Sequence, residues 1–89
     1  MTGSINVYQQ QADRQRRDEL ILAHLPLVKH AIGRLIGDLP MGVDVENLAA
    51  AGVLGLVEAV AKFDPNRNAQ FKTFAYLRIR GAVVDELRR

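Results

Sequence analysis

Residues 44–63 read DVENLAAAGVLGLVEAVAKF. Asp44 is a good N-cap residue, and the side chains after it are mostly apolar or small, which is typical of a helix. One set of these side chains recurs at intervals of three and four residues, the period of a single helix face. We expect that face to line the core, and it consists of Leu48, Gly52, Leu56, Val60 and Phe63.

Two glycines in the same helix, Gly52 and Gly55, indicate a close approach of another helix. Glycine lowers the stability of a helix interior by about 1 kcal/mol relative to alanine. A close contact that a larger side chain would block is therefore the reason we expect for both residues.

A second row with helical spacing lies about a third of a turn away from the core face. The pattern allows two interpretations, and it does not separate them. The row is either a docking face for a partner helix or part of a wide buried face on a central helix. Its members are Asn47, Ala50, Val53 and Val57.

The rest of the chain also predicts helices. Apolar side chains keep the helical period between Ile21 and Leu39, and Pro26 either kinks that helix or begins a second one. Breakers at 37–42 and a polar turn at 64–68 separate the segments, and the last helix begins near Thr73. No segment alternates with a period of two. We therefore predict an all-α fold, a small bundle of three to four helices.

The polar residues 1–12 have no period, and we expect a flexible N-terminus there. The helical domain is expected over 13–89. That segment is long enough for one small core. The first residues lack the apolar core of a signal peptide, and no apolar run reaches the roughly 18 residues of a membrane span. We expect a cytoplasmic protein with no membrane contact.

The residue types that would support catalysis or metal binding are scarce. The 89 residues include no cysteine and only two histidines. His24 and His30 are six residues apart, which does not place them on one helical face, so we expect no metal site. The serine, threonine and carboxylate residues form no recognisable constellation. We expect no enzyme activity and no cofactor.

The basic residues concentrate in the last third of the chain. Residues 62–89 contain seven lysine or arginine residues against three acidic ones. This excess is either a solvated basic face or a surface for a polyanion, and charge alone does not distinguish the two.

The last helix mixes aromatic with basic side chains, as a surface for single-stranded nucleic acid requires. Aromatic rings stack on exposed bases at about 1–3 kcal/mol each, and arginines bind phosphates. We expect Phe71 to pack in the core instead. Arg78 and Arg80 could also pair with carboxylates nearby. The interleaved residues are Phe71, Lys72, Phe74, Tyr76, Arg78 and Arg80.

Two longer segments carry a family resemblance. The segments NLAAAGVLGLVEAVAKFD (47–64) and FKTFAYLRIRGA (71–82) resemble region 2 of bacterial RNA polymerase sigma factors. RIRGAVVDELR (78–88) and HLPLVKH (24–30) are similar to the flagellar and sporulation class of alternative sigma factors. The resemblance covers residues 20–89, and its many ordered matches make it specific.

The resemblance implies an all-helical domain that docks on the clamp coiled coil of the polymerase β′ subunit. The family's docking positions fall on Asn47, Ala50, Val53 and Val57. It also implies recognition of the promoter −10 element and capture of the melted non-template strand, with Phe74 stacking in the site left by a flipped adenine. The implied DNA-binding residues are Lys72, Phe74, Tyr76, Arg78, Arg80, Asp85 and Arg88.

The sequence departs from the housekeeping sigma factors at some of these positions. Leu77 and Arg78 replace a tryptophan pair that wedges the duplex, which implies weaker melting. Asn47, Ala50 and Ala51 replace acidic and glutamine docking residues, so Val53 and Val57 would provide more of the contact. The family's later domains are absent, and we therefore expect a fragment of a longer protein.

The leading interpretation is a promoter-recognition domain that helps to open DNA for transcription initiation. The alternative is a helical regulatory module that binds polymerase or an anti-sigma factor without melting DNA. A helix-turn-helix protein that reads duplex DNA is disfavoured, because the aromatic and arginine mixture suits unstacked bases better than groove edges.

Overall fold

Four helices form a bundle in the computed structural model, which describes residues 3–35, 37 and 39–89, with side chains from Asn6 onward. No strand occurs in those residues, so the prediction of an all-α bundle is confirmed. None of the described helices has the length and apolar character that crossing a membrane requires. The helices are α1 (Gly3–His24), α2 (Pro26–Leu35), α3 (Val45–Lys62) and α4 (Phe71–Leu87).

Helix α1 begins ten residues before Asp13, where the apolar pattern predicted its start. The expected flexibility of the N-terminus over 1–12 stays a prediction. Exposed polar pairs lie along this helix: the Gln9 amide donates to Asp13 over 3.3 Å, and Arg16 pairs with Asp13. The early side chains are exposed, so no apolar period was needed there.

Pro26 begins a second helix, which decides between the two alternatives for this residue. Leu25 lies in the turn, and its carbonyl accepts from the Val28 amide over 3.0 Å. Proline suits the first position of a helix because its missing N–H would have no partner there.

Asp44 caps α3, as predicted. Its Oδ1 accepts from the amides of Glu46 and Asn47 over 3.0 and 3.4 Å. The helix ends at Lys62, and the amide of Phe63 still donates to the Ala59 carbonyl.

The core lies between α2, α3 and α4, and the glycines of α3 permit its close packing. A Cβ at Gly52 would lie 2.8 Å from Val28 Cγ1, and one at Gly55 would lie 2.8 Å from the Arg78 carbonyl oxygen. The predicted close approach is confirmed. Val60 and Phe63 of the expected core face are only half-buried. The buried core residues are Val28, Ala31, Ile32, Leu48, Leu56, Ala59, Ala75, Ile79 and Val83.

Helix α4 begins at Phe71, two residues before Thr73. No side chain caps this end, since Gln70 stands at the N-cap without a side-chain hydrogen bond. The helix therefore begins without a side-chain cap, at a residue whose ring packs against His24 and Phe63. The preceding loop contains the predicted polar turn, in which Asp64 Oδ1 accepts from the Asn66 amide over 2.9 Å.

Candidate nucleic-acid interface

A pocket of about 290 Å³ opens where the end of α3, the following loop and the first turns of α4 meet. We call it the aromatic pocket. It combines two phenylalanine rings with three basic side chains and one carboxylate. Its lining residues are Lys62, Phe63, Asp64, Arg67, Ala69, Phe74 and Arg78.

The aromatic walls of this pocket are Phe63 and Phe74. Their ring centroids lie 5.6 Å apart with planes inclined at 52°. Both side chains are half-buried, so packing holds them while part of each remains open to solvent. A planar group that enters the pocket can contact a ring face without displacing the core.

Arg78 links the pocket to α3. Its Cζ lies 5.8 Å from the Phe74 ring centroid, and its Nη2 lies 3.5 Å from Glu58 Oε2. Lys62 Nζ reaches the same carboxylate oxygen at 3.9 Å, and Arg67 Nε lies 3.8 Å from Asp64. Exposed pairs of this kind contribute only about 0–1 kcal/mol. The basic side chains of the pocket are therefore held loosely enough to turn to a phosphate.

A second pocket, of about 250 Å³, lies between α2 and α4. We call it the basic pocket. The His30 and Tyr76 rings lie 5.8 Å apart on its walls. The predicted DNA-binding residues thus divide, with Phe74 and Arg78 in the aromatic pocket. The basic pocket is lined by Leu27, His30, Arg34, Lys72, Thr73 and Tyr76.

The remaining predicted DNA-binding residues are exposed: Arg80 and Asp85 lie on α4, and Arg88 is its C-cap residue. Leu77, three residues before Arg80, is 62% exposed. Among the residues that the structure describes, no carboxylate pairs with Lys72, Arg80 or Arg88. Within the described residues these three basic side chains therefore form no ion pair.

The second apolar row of α3 is mostly open to solvent. Asn47, Ala50 and Val57 are exposed, while Val53 is half-buried and packs against the core. Val53 also lines an apolar groove of about 330 Å³ between α2 and α3. Leu54, which sequence reasoning did not single out, is 64% exposed. Together, Ala50, Leu54, Val57 and Ala61 form what we call the α3 outer face, opposite the core side.

Comparison with known proteins identifies the family to which these features belong. The model of the Sigma-70 region 2 family matches residues 20–89, most of the chain. The chain belongs to the Sigma-70 region 2 family. The family consists of sigma factors and not of enzymes, which confirms the prediction of no catalysis.

The similar full-length proteins are sigma factors of the flagellar type. The RNA polymerase sigma factor FliA of Pseudomonas aeruginosa is 41% identical over 87 residues, covering 98% of this chain and 35% of the relative. The RNA polymerase sigma-D factor of Bacillus subtilis is 43% identical over 77 residues, 86% of this chain and 30% of the relative. FliA of Escherichia coli is 45% identical over 65 residues, which cover 73% of this chain and 27% of the relative. The chain spans about a third of the length of these relatives.

Sequence reasoning missed part of the aromatic pocket of this sigma region 2 domain. It assigned Phe63 to the core and placed Arg67 in a polar turn. The sequence does contain a signal for Phe63 and Arg67. The segment Lys62-Phe63-Asp64 is followed by a basic residue at 67 and by a second aromatic residue at 74. These positions meet only because the loop returns α4 alongside the end of α3. Helical periodicity carries no information about that return.

Proposed function

We propose that the chain is the promoter-recognition domain of an alternative, flagellar-type sigma factor. It docks on the clamp coiled coil of the polymerase β′ subunit, recognises the promoter −10 element and helps to open the DNA for transcription initiation. These activities place it in the cytoplasm. The proposal rests on the family assignment and on two separate surfaces of the bundle.

The α3 outer face is the surface for polymerase. Leu54 and Val57 are 64% and 40% exposed, and Ala50 is exposed as well. Fully burying a leucine or valine side chain contributes roughly 1.5–3 kcal/mol, so a partner helix on this face gains binding energy from a few residues. Asn47 at the start of the row supplies a polar contact at its edge.

The aromatic pocket is the surface for a flipped base, and this single observation supports the DNA role most strongly. Flipping a base out of the duplex costs a few kcal/mol of stacking and pairing free energy. Stacking on an aromatic ring returns about 1–3 kcal/mol, and the pocket adds Arg78 and Arg67 for polar contacts. A pocket of about 290 Å³ lined by both Phe63 and Phe74 offers an aromatic surface for this exchange.

The strand would continue from the aromatic pocket towards the basic pocket. Lys72 and Tyr76 line the basic pocket, and Arg80 lies exposed on the same helix. Lysine and arginine side chains that bind phosphates release counterions, which makes the affinity depend on salt. Asp85 and Arg88, nearer the end of α4, would meet the upstream edge of the duplex.

The two surfaces permit polymerase and DNA to bind together. Helix α4 packs on the side of α3 that contains Gly52, Gly55 and Leu56, whereas the α3 outer face points away from it. A partner on one surface therefore leaves the other accessible. A protein of the alternative kind, a regulatory module, would need only the α3 outer face and could bind polymerase or an anti-sigma factor there.

The experiment that tests this function measures single-strand binding by the chain together with core polymerase. Fluorescence anisotropy reports the affinity for a labelled −10 non-template strand. Phe74→Ala should weaken binding about 5- to 100-fold through the loss of stacking, without loss of polymerase binding. Tyr8→Ala, which removes a 72% exposed ring from α1, is the matched control and should have no effect. Unchanged affinity in folded Phe74→Ala would refute the base-binding role.

A further inference from the structure

A series of four rings connects the end of α1 with the aromatic pocket. The His24 and Phe71 centroids lie 4.8 Å apart with planes at 77°, and Phe71 and Phe63 lie 5.2 Å apart at 83°. Phe63 then contacts Phe74, and both rings line the pocket; their centroids lie 5.6 Å apart. His24 stands at the far end of this series and is not among the residues that line the pocket.

The His24 ring is held by its own helix. Its Nδ1 lies 2.8 Å from the Leu20 carbonyl oxygen. Because a carbonyl oxygen only accepts hydrogen bonds, Nδ1 must be the donor and must bear a proton. The side chain is half-buried, and the chain turns at Leu25 directly after it. His24 is therefore a fixed ring at the end of a helix and not a free surface histidine.

Phe71 packs partly buried against the core, and two further rings contact it. It is the first residue of α4, and the N-cap residue Gln70 makes no side-chain hydrogen bond. Among the described residues, His24 and Phe63 make edge-to-face contacts with the Phe71 ring. Edge-to-face geometry constrains the orientation of both rings, so a change at one ring reaches the next.

We propose that His24 is a positioning residue for the aromatic pocket. By fixing Phe71 it fixes a ring that packs edge-to-face against Phe63, and Phe63 lines the pocket beside Phe74. This inference rests on the proposed function, because it concerns how well the pocket distinguishes a stacked base from an empty position. It makes α1 part of the base-binding site although α1 contributes no lining residue to it.

The test compares base selectivity, and not affinity alone. Complexes of the chain with core polymerase are titrated with −10 single strands that bear one abasic position at a time. The position at which wild type loses most affinity defines the pocket's base, and the ratio of intact to abasic affinity there is the selectivity. His24→Ala should lower this ratio about 2- to 10-fold, the range expected for one aromatic pair. His24→Phe, which restores a ring, should return it to within about 2-fold of wild type.

Two further variants keep the test decisive. Leu22→Ala, a 67% exposed residue on the same helix, should leave the ratio unchanged. Phe71→Leu retains apolar volume without the ring and should lower the ratio as His24→Ala does, which covers the case in which His24→Ala fails to fold.

The outcomes separate a positioning role from a structural one. Equal weakening of intact and abasic strands by His24→Ala would show a purely structural contribution and overturn the proposal. Failure of His24→Phe to restore selectivity would also overturn it, because the ring contact would then not be the cause. A wild-type complex with no sensitive abasic position would instead refute the proposed base binding itself, and the positioning role with it.

Discussion

Gly55 lies directly against the backbone of Arg78, so that a Cβ at Gly55 would come within 2.8 Å of the Arg78 carbonyl oxygen. The contact joins α3 to α4 at the turn of α4 that presents Arg78 to the aromatic pocket. Packing of the core and geometry of the pocket therefore depend on the same glycine.

Gly55→Ala should destabilise the bundle. The added methyl group would overlap backbone atoms of α4, and overpacking of this kind costs about 1–3 kcal/mol, more than the gain in helix propensity. Urea unfolding measures the difference in the free energy of unfolding. Gly33→Ala is the matched control: no atom lies within 4 Å of a Cβ there, and this variant should be more stable by up to about 1 kcal/mol. Equal stabilisation by both substitutions would contradict the close approach.

Val53 and Val57 should respond differently to aspartate, although they belong to the same row. Val53 packs against the core and lines the α2–α3 groove, so a charge there should destabilise the fold by roughly 1–3 kcal/mol. Val57 is 40% exposed, and Val57→Asp should change stability by less than about 0.5 kcal/mol. Thermal unfolding of both variants tests this difference. A loss of stability at Val57 as large as at Val53 would show that the α3 outer face is not free.

Much of the fold follows from local chemistry that the sequence displays directly. Pro26 must begin a helix or break one, and Asp44 caps its neighbours through two short-range hydrogen bonds. The first turn of α4 was misplaced because no capping side chain marks it. The start of α1 was misplaced because exposed helices need no apolar period.

The candidate site was less accessible to sequence reasoning because it depends on tertiary contacts. Phe63 has the spacing of a core residue, and only the return of α4 turns its ring into a pocket wall. Leu54 was not predicted because it lies next to the row of Asn47, Ala50, Val53 and Val57 and is not a member of it. Its 64% exposure becomes evident only once the core side of α3 is known. The family resemblance identified Phe74 as a site residue, whereas Arg67 can be assigned to the pocket only from the geometry of the loop.

Arg80→Ala tests the proposed path of the phosphates. Arg80 is exposed on α4, and no carboxylate in the described part of the chain pairs with it. Its removal should weaken single-strand binding uniformly across sequences and reduce the slope of log affinity against log salt by about 0.7. Arg17→Ala on α1 provides the control and should leave the slope unchanged. An unaltered slope in Arg80→Ala would place the phosphates elsewhere.

The most direct test of the sigma-factor role is a titration of the chain with a β′ clamp coiled-coil fragment. Wild type should bind saturably, and Leu54→Asp should abolish binding while remaining folded, because a charge would lie at the centre of the α3 outer face. Leu22→Asp alters a leucine of similar exposure on α1 and should bind like wild type. Absence of binding by folded wild-type protein, or full binding by Leu54→Asp, would contradict the account.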